Sequence, residues 1–560
     1  MVMSATEAER LKRKRQRYAA MKNDRDQYLA TWRDIRDFLA PRTARLPGEK
    51  VNDATRQDLN IINTTPRFAV RTLPAGMQSG VTSPLRPWFR LGTPNPDLDN
   101  FQPVKEWLFE VERILRMIMA KSNLYDRLKS NYGMLGTYGT SALMIEEDDE
   151  DVIRAFDFPI GSFCVSTDDK GRVDTLYRET TMSVINMVTK FGKDKLPNHI
   201  KTLYDTGEYE QRFTVYHFLQ PNDNYKPGNI LNQNKRFSSC WVLDDDTQTK
   251  FLRESGYDYK PMMCPRWDLL GEDAWGIGCG EIALGDAKQL QMGEKRGLQI
   301  LDKVANPSMV ADSSLRNQRT SILPGDTTYV NGLVTGNQGF RPAYQITNPP
   351  LDLVEAKQRQ VEERINEAFY KNLFLMVAEI GDQPNITATQ INTMREEKLM
   401  MLGPVLERLN DELLDPMIDT IFAIAYKRGL LPPPPEEIQG MPLRVEYISV
   451  LAQAQKAMGI GNIERTVGFV TGLAQFDPTA LAKMNTFEII DEYADGVAVP
   501  PKMIRTNDEA QAMVDAQNQQ MQQAQAMETG KQMVDMAQKA SNTSLEGDSA
   551  LTAAMEMAGA

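Results

Sequence analysis

The stretch Thr387–Pro416, TATQINTMREEKLMMLGPVLERLNDELLDP, decides the reading of this chain, because it holds a helical period across two prolines. Apolar residues fall at Ile391, Met394, Leu402, Val405, Leu409 and Leu413 and continue to Met417, Ile421 and Ile424, with Lys398 filling one gap. A three-and-four spacing kept over that length predicts an amphipathic helix longer than most globular helices. Thr387 or Thr389 can cap its start, and Gly429 followed by Pro432–Pro435 supplies its stop. Inside it, Pro404 removes the bond to the carbonyl of Met400 and Pro416 the bond to that of Glu412, each at about 3 kcal/mol or a kink. A helix that only packs gains nothing from this, so the spacing predicts one bent for a shape.

The rest of the chain bounds what that shape can serve. Its 560 residues leave room for about three to four domains, and 41% hydrophobic content is enough for real cores. Residues 1–18, MVMSATEAERLKRKRQRY, carry charge where a signal peptide needs an apolar core, and no apolar run approaches the ~18 residues of a membrane span. The expectation is a soluble protein made in a cytoplasm, with no membrane partner. Cys164, Cys240, Cys264 and Cys279 are too few and too far apart for a disulfide scaffold or a CxxC metal site, and read as small buried hydrophobes. His199 and His217 are the only histidines, which all but removes zinc sites and histidine triads. A net charge of −12 argues against tight sequence-independent binding to nucleic acid, which draws its affinity from phosphate neutralisation.

Along the chain, Glu7–Leu39 reads as one helix with Arg10, Lys12, Arg13, Lys14, Arg15 and Arg17 at its start. That basic run is expected to be a solvated face, the sharper alternative being contact with phosphate or an acidic partner. A helix from Thr64 closes at Gly76 or Gly80, an extended segment stiffened by Pro84 and Pro87 follows, and helices run from Pro103 to Lys121 and Leu124 to Leu135. From Gly139 to Arg266 the texture turns to short alternating runs (SALMIEE, VIRAFDF, GRVDTLYRE, RFTVYHFL, SSCWVL, TKFLRES), a mostly antiparallel sheet region with one helix near Ser183–Phe191. Helices return at Glu281–Ala305 and Leu351–Met376, with a Pro/Gly/Asn/Ser-rich segment of brief strand-like pieces (TTYV, AYQI) between them. Leu443–Val450 is strand-like, Ala452–Ala494 mostly helical, and an Ala/Gln/Met-rich helix from Asn507 fades into low complexity. The fold class is therefore α+β and mainly helical.

No catalytic constellation survives inspection. There is no GxxxxGK[ST] phosphate cradle, and the GIGCG run at Gly276–Gly280 has Glu281 where a dinucleotide fingerprint needs its third glycine. The acidic runs Glu146–Asp151 and Asp244–Asp246 could hold magnesium for a metal-dependent DNA-processing enzyme, but both lie between strand pieces, where a solvated hairpin turn is the default. No cofactor or metal is implied. One non-catalytic pattern stands out: on the helix from Glu281, Lys288, Lys295, Arg296 and Lys303 share a stripe of about 100°. Gly285, Gly293 and Gly297 occupy an adjoining arc, each costing about 1 kcal/mol relative to alanine, which is tolerable where another helix comes close. A helix packed closely on one side and basic on another suits the wall of a channel carrying a polyanion; the bland alternative is an ordinary exposed basic face.

With these residues in hand, the sequence resembles the head-to-tail connecting, or portal, proteins of short-tailed bacteriophages. The resemblance lies in SGVTSPLRPWFRL (Ser79–Leu91), PRWDLLGEDAWGIGCGEIALGDAKQLQ (Pro265–Gln291), the opening stretch, GLLPPPPEEIQG (Gly429–Gly440) and EYISVLAQAQK (Glu446–Lys456), in order over roughly residues 10–500. Single motifs are weak; their order and spacing are specific. The chain departs from the family where Gly278-Cys279 replaces a glycine-proline and Gly285 a proline.

The resemblance implies a non-enzymatic, ring-forming subunit, usually one of twelve, set at one vertex of the virion between head and tail and assembled in the host cytoplasm. It implies a portal fold with a wing (1–280), a stem helix (281–305), a clip (306–350), a second stem helix (351–377), a tunnel loop with a kinked wing helix (378–442), a crown (443–506) and a C-terminal tail (507–560). Gly381, Asp382, Gln383, Pro384 and Asn385 would form the tunnel loop, with the kinks at Pro404 and Pro416 where the helix turns across the wing. Implied partners are double-stranded viral DNA, the terminase motor, major capsid and scaffolding proteins, and tail adaptors. Twelve chains at −12 would carry about −144, so a conduit that lets DNA slide should contact phosphates sparingly, through Lys288, Lys295, Arg296 and Lys303. A third possibility is an oligomeric scaffold or tail structural protein with no DNA channel.

Overall fold

In the computed structural model the described residues are 7–311, 340–342, 351–374 and 402–541, with short breaks at 50–51, 96–97, 99–100, 229–230, 246–249, 442, 448–449, 475, 478, 480–482, 498, 500–502 and 506. They fall into two compact units, the first from residues 1–92, 110–433 and 442–454, the second from 93–109, 434–441 and 455–560.

The first unit opens with α1 (Glu7–Asp26) and α2 (Leu29–Phe38), two helices where the sequence predicts one. Tertiary bonding at the joint overrides the local pattern: Arg25 is fully buried and donates to the carbonyl of Gly161 at 2.9 Å and to Asp26 Oδ1 at 2.7 Å. Next come α3 (Thr65–Gly80), β1 (Phe89–Gly92), α4 (Gln102–Lys121), whose start belongs to the second unit, and α5 (Leu124–Tyr138). Then follow β2 (Ala142–Asp148), β3 (Val152–Phe158), β4 (Phe163–Thr167), β5 (Val173–Ser183), α6 (Val184–Phe191), α7 (Asn198–Asp205), β6 (Arg212–Pro221), β7 (Phe237–Leu243), β8 (Arg253–Tyr257) and β9 (Met262–Met263). The helix α7 escapes a reading by periodicity because its eight residues bury only Ile200.

Strands β4 to β8 form an antiparallel meander in sequence order, and β3, β2 and β9 a second sheet. Period-two alternation gives the meander two apolar faces. On β7, Cys240 and Val242 meet Leu11, Tyr18 and Met21 of α1, while Trp241 and Leu243 meet Val184, Met187 and Phe191 of α6. A third cluster joins Trp32 and Ile35 of α2 to Tyr138, Met144, Phe163 and Trp275. All four cysteines are buried, and His217 is buried between Arg178 and Ser239 with its ring stacked 3.9 Å from that of Trp241. Burial and the neighbouring Arg178 hold that imidazole well below its usual range, hence neutral.

From Cys279 the chain forms α8 (Cys279–Ala305); β10 (Met309–Ala311) pairs with β11 (Phe340–Pro342), and α9 (Leu351–Ala368) returns. The unit closes with α10 (Gly403–Leu409), a π turn (Asn410–Leu414), α11 (Asp415–Lys427) and β12 (Arg444–Tyr447), which pairs with β1. In the second unit, α12 (Val450–Ala474, entering it at 455) and α13 (Thr486–Val497) are joined by Tyr493 donating to Glu464 at 3.1 Å, and α14 (Asn507–Ser541) completes the chain. Among the described residues no helix is long and apolar enough to cross a membrane.

Glu112 of α4 accepts the backbone N–H of Leu91 at 2.8 Å from a buried position, and burial pushes its carboxyl up to about 7. The folded chain therefore holds this proton more tightly than the unfolded one. Its contribution to stability is complete below the ordinary carboxylate range and is lost as pH rises through about 7. The melting temperature of the native chain is expected to fall more steeply between pH 5 and pH 8 than that of Glu112→Gln; parallel profiles would refute this.

Candidate functional site

Helix α8, paired with α9, carries the residues that the sequence marks for a polyanion. The N-terminus of α8 is seated by backbone contact too close for any side chain. A Cβ on Gly280 would lie 2.2 Å from the carbonyl oxygen of Thr137, and one on Gly278 2.4 Å from the nitrogen of Gly139, itself left-handed at φ +81°. Cys279, the first helical residue, is fully buried, at a position where a proline would lose no helical hydrogen bond. Farther along, Gly293 and Gly297 face Gln358 of α9, with Val354 also 3.9 Å from the Gly297 position, so two of the three expected glycines do meet a neighbouring helix. Gly285 has nothing within 4 Å.

Polar side chains then lock the pair. Arg364 of α9 bonds both carboxylate oxygens of Asp286, at 2.5 and 3.2 Å. Buried Gln291 accepts the N–H groups of Ile62 and Asn63 and donates back to the Asn63 carbonyl. The Asn63 amide in turn bridges Glu294 of α8 and Glu362 of α9, at 2.9 and 2.7 Å. This clamp carries no sequence signal, since Asn63 lies more than two hundred residues from the side chains it joins.

The four candidate cations divide. Lys288 is committed to its own chain, ion-paired to Asp34 at 2.6 Å with its ammonium 5.5 Å from the Phe38 ring centroid. Lys295, Arg296 and Lys303 are exposed and have no ion-pair partner among the described residues. Residues 381–385, the expected tunnel loop, and residues 387–401 of the expected bent helix lie outside the described residues. So do the TTYV and AYQI pieces.

Beyond that gap the apolar stripe is buried as the period requires, at Leu402, Val405, Leu409, Leu413, Met417, Ile421 and Ile424. Pro404 stands in the first turn of α10, where its missing N–H has no helical partner to lose. Pro416 follows the π turn, in which Asp415 N–H reaches back five residues to the carbonyl of Asn410. The extra residue lets both Leu413 and Leu414 point inward. It also places Glu412 against buried Arg266, whose backbone N–H and Nε donate to the carboxylate at 2.9 and 3.1 Å, with a further bond from its Nη2. Arg266 reaches the carbonyls of Gly171 and Asp273 as well.

The acidic run is a hairpin turn between β2 and β3 whose carboxylates point to separate partners. Glu146 accepts from Tyr257, while Glu147, Asp149 and Asp151 pair with Lys427, Arg428 and Lys121. Among the described residues no three His, Cys, Asp or Glu side chains converge as a metal site would need.

Loss of one partner of a buried ion pair strands the other charge, so Arg266→Met is expected to destabilise the first unit by about 3–5 kcal/mol. In Arg266→Met/Glu412→Leu the loss should be well below the sum of the single losses. Melting of the three variants checks this; strict additivity would refute the coupling.

A model of the bacteriophage head to tail connecting protein family matches residues 11–504. The chain is 43% identical over 559 residues to the portal protein of Salmonella phage epsilon15, covering 100% of both chains. It is 38% identical over 536 residues to the probable portal protein of Bordetella phage BPP-1, covering 96% of both. Among solved structures, the neck of an empty gene transfer agent particle aligns with 72% of this chain and 86% of that one, at a TM-score of 0.36 and 11% identity. A chain of the native gene transfer agent virion aligns with 71% and 94%, at 0.30 and 10%.

Proposed function

The chain belongs to the bacteriophage head-to-tail connecting protein family, a family of structural and non-catalytic virion proteins, and from that premise we propose that it assembles as a twelve-membered ring forming the DNA channel of the portal vertex. The observation that carries this reading is the state of α8. Its buried residues end at Gln291, while Met292, Leu298, Leu301 and Val304 are exposed, as is Leu353 on α9. A helix pair kept rigid by the Asn63 clamp and left apolar along its outer half calls for neighbours, and two unlike faces per subunit close into a ring.

In that ring Lys295, Arg296 and Lys303 line the channel, and their small number on an acidic chain lets DNA slide rather than bind. Lys288 holds α8 to α2 through Asp34 and serves seating more than contact. Residues 381–385 form the tunnel loop, and the segment between α8 and α9 forms the clip that docks the terminase. Capsid, scaffolding and tail adaptor proteins take the outer faces. The metal-dependent enzyme reading finds no support in the acidic hairpin, where carboxylates diverge onto separate partners.

Negative-stain class averages of the purified protein are expected to show rings with a hole wide enough for duplex DNA. Lys295→Ala/Arg296→Ala/Lys303→Ala should still form rings and lower the DNA packaged or retained per particle. Unchanged packaging, even with Lys288→Ala added, would remove these residues from the channel wall.

A further inference from the structure

The basic run at the start of α1 is only partly a solvated face. Its members at Arg10, Arg13, Lys14 and Arg17, spaced three and four apart, share one side of the helix and line a cavity of about 440 Å3 between α1 and the edge of the five-stranded sheet. Lys226, from the loop after β6, lines the same cavity. Two of these cations are held by the fold: Arg10 pairs with Glu254 of β8, and Arg17 donates to the neutral hydroxyl of Thr175 at 3.0 Å. Arg13, Lys14 and Lys226 have no carboxylate within ion-pair distance among the described residues.

Asp223 and Glu254 are the carboxylates of the cavity wall, so five cations face two anions and a surplus of three positive charges is concentrated there on a chain of net −12. Burial pulls the Lys14 ammonium below its usual range, and the carboxylates of Asp223 and Glu254, beyond ion-pair distance, counter only part of that cost. The amides of Asn224 and Asn234 add neutral donors to the same wall. Such a surplus in a cavity of small-ligand size is matched by a compact, multiply charged anion rather than an extended acidic peptide.

We propose that this cavity between α1 and the sheet is a binding site for a phosphate-bearing ligand, held by Arg13, Lys14 and Lys226 while Arg10 and Arg17 keep the helix in place. The ligand chemistry is that of a terminal, doubly ionisable phosphate, available from a free nucleotide or from the 5′-phosphorylated end of a DNA strand. The site is built from elements other than the stem helices and does not depend on the ring.

Isothermal titration of the full chain with pyrophosphate, a deoxynucleoside triphosphate and a 5′-phosphorylated oligonucleotide tests this. Saturable binding of at least one probe is expected. It should weaken by about tenfold or more in Lys14→Met/Lys226→Ala, whose melting temperature should match the parent, and persist in Lys295→Ala/Arg296→Ala/Lys303→Ala. Binding of pyrophosphate or nucleotide identifies a soluble ligand, and binding of the oligonucleotide alone a strand end. No saturable binding of any probe, or equal binding by the Lys14/Lys226 variant, overturns the proposal.

Discussion

The buried pair of Arg266 and Glu412 is the contact on which the body of this protein depends. Arg266 bridges Thr140 at the start of β2 and spends its guanidinium on the carbonyls of Gly171 and Asp273 and on the carboxylate of Glu412. Through its backbone and its side chain, this one residue ties the segment before β2, a hairpin turn, the loop before α8 and the π turn between α10 and α11. A charge this deep is stable only when every donor is used, which makes the arrangement intolerant of small displacements. The π turn is what brings Glu412 there: an added residue rotates the helix so that the carboxylate reaches inward while Leu413 and Leu414 both stay in the core.

Close backbone packing does the same for α8. At Gly139, Gly278 and Gly280 the end of α5 and the start of α8 approach so nearly that any side chain would displace one of them. Trp267 N–H donates to the Gly139 carbonyl at 2.8 Å, and Gly276 N–H to Thr140 Oγ1 at 2.7 Å, so the junction is hydrogen-bonded as well as close. A rigid root of this kind suits a helix whose outer half finds no cover among the described residues. In the proposed ring, stiffness at the base would set the direction in which α8 and α9 offer their apolar faces to a neighbour.

Charge is distributed with similar economy. Many cations that look free in the sequence are committed within the fold, Lys288 to Asp34, Arg10 to Glu254 and Arg364 to Asp286. In the acidic hairpin, Glu147, Asp149 and Asp151 are likewise paired, with Lys427, Arg428 and Lys121. Lys295, Arg296 and Lys303 on α8 are exposed and have no ion-pair partner among the described residues. A few cations on an acidic background attract a polyanion without holding it, which is what the proposed passage of DNA would ask of a surface.

Most helices and strands were legible because periodicity reports burial: the stripe from Leu402 to Ile424, the alternation of β6 and β7 and the extent of α8 follow from spacing alone. The joint at Arg25, the short α7 and the strands β4 and β9 were not, because their stability comes from partners distant in sequence or from too few residues to show a period. For the candidate site, the sequence by itself determined which residues are basic, which are small and where prolines interrupt a helix, and through these the family. Only the tertiary structure decided that Lys288 is tied to Asp34, that Gly293 and Gly297 but not Gly285 meet another helix, and that the residue added before Pro416 turns Glu412 onto Arg266. The physical reason is that an ion pair or a close approach depends on distance in space, and partners this far apart along the chain leave no trace of it in local order.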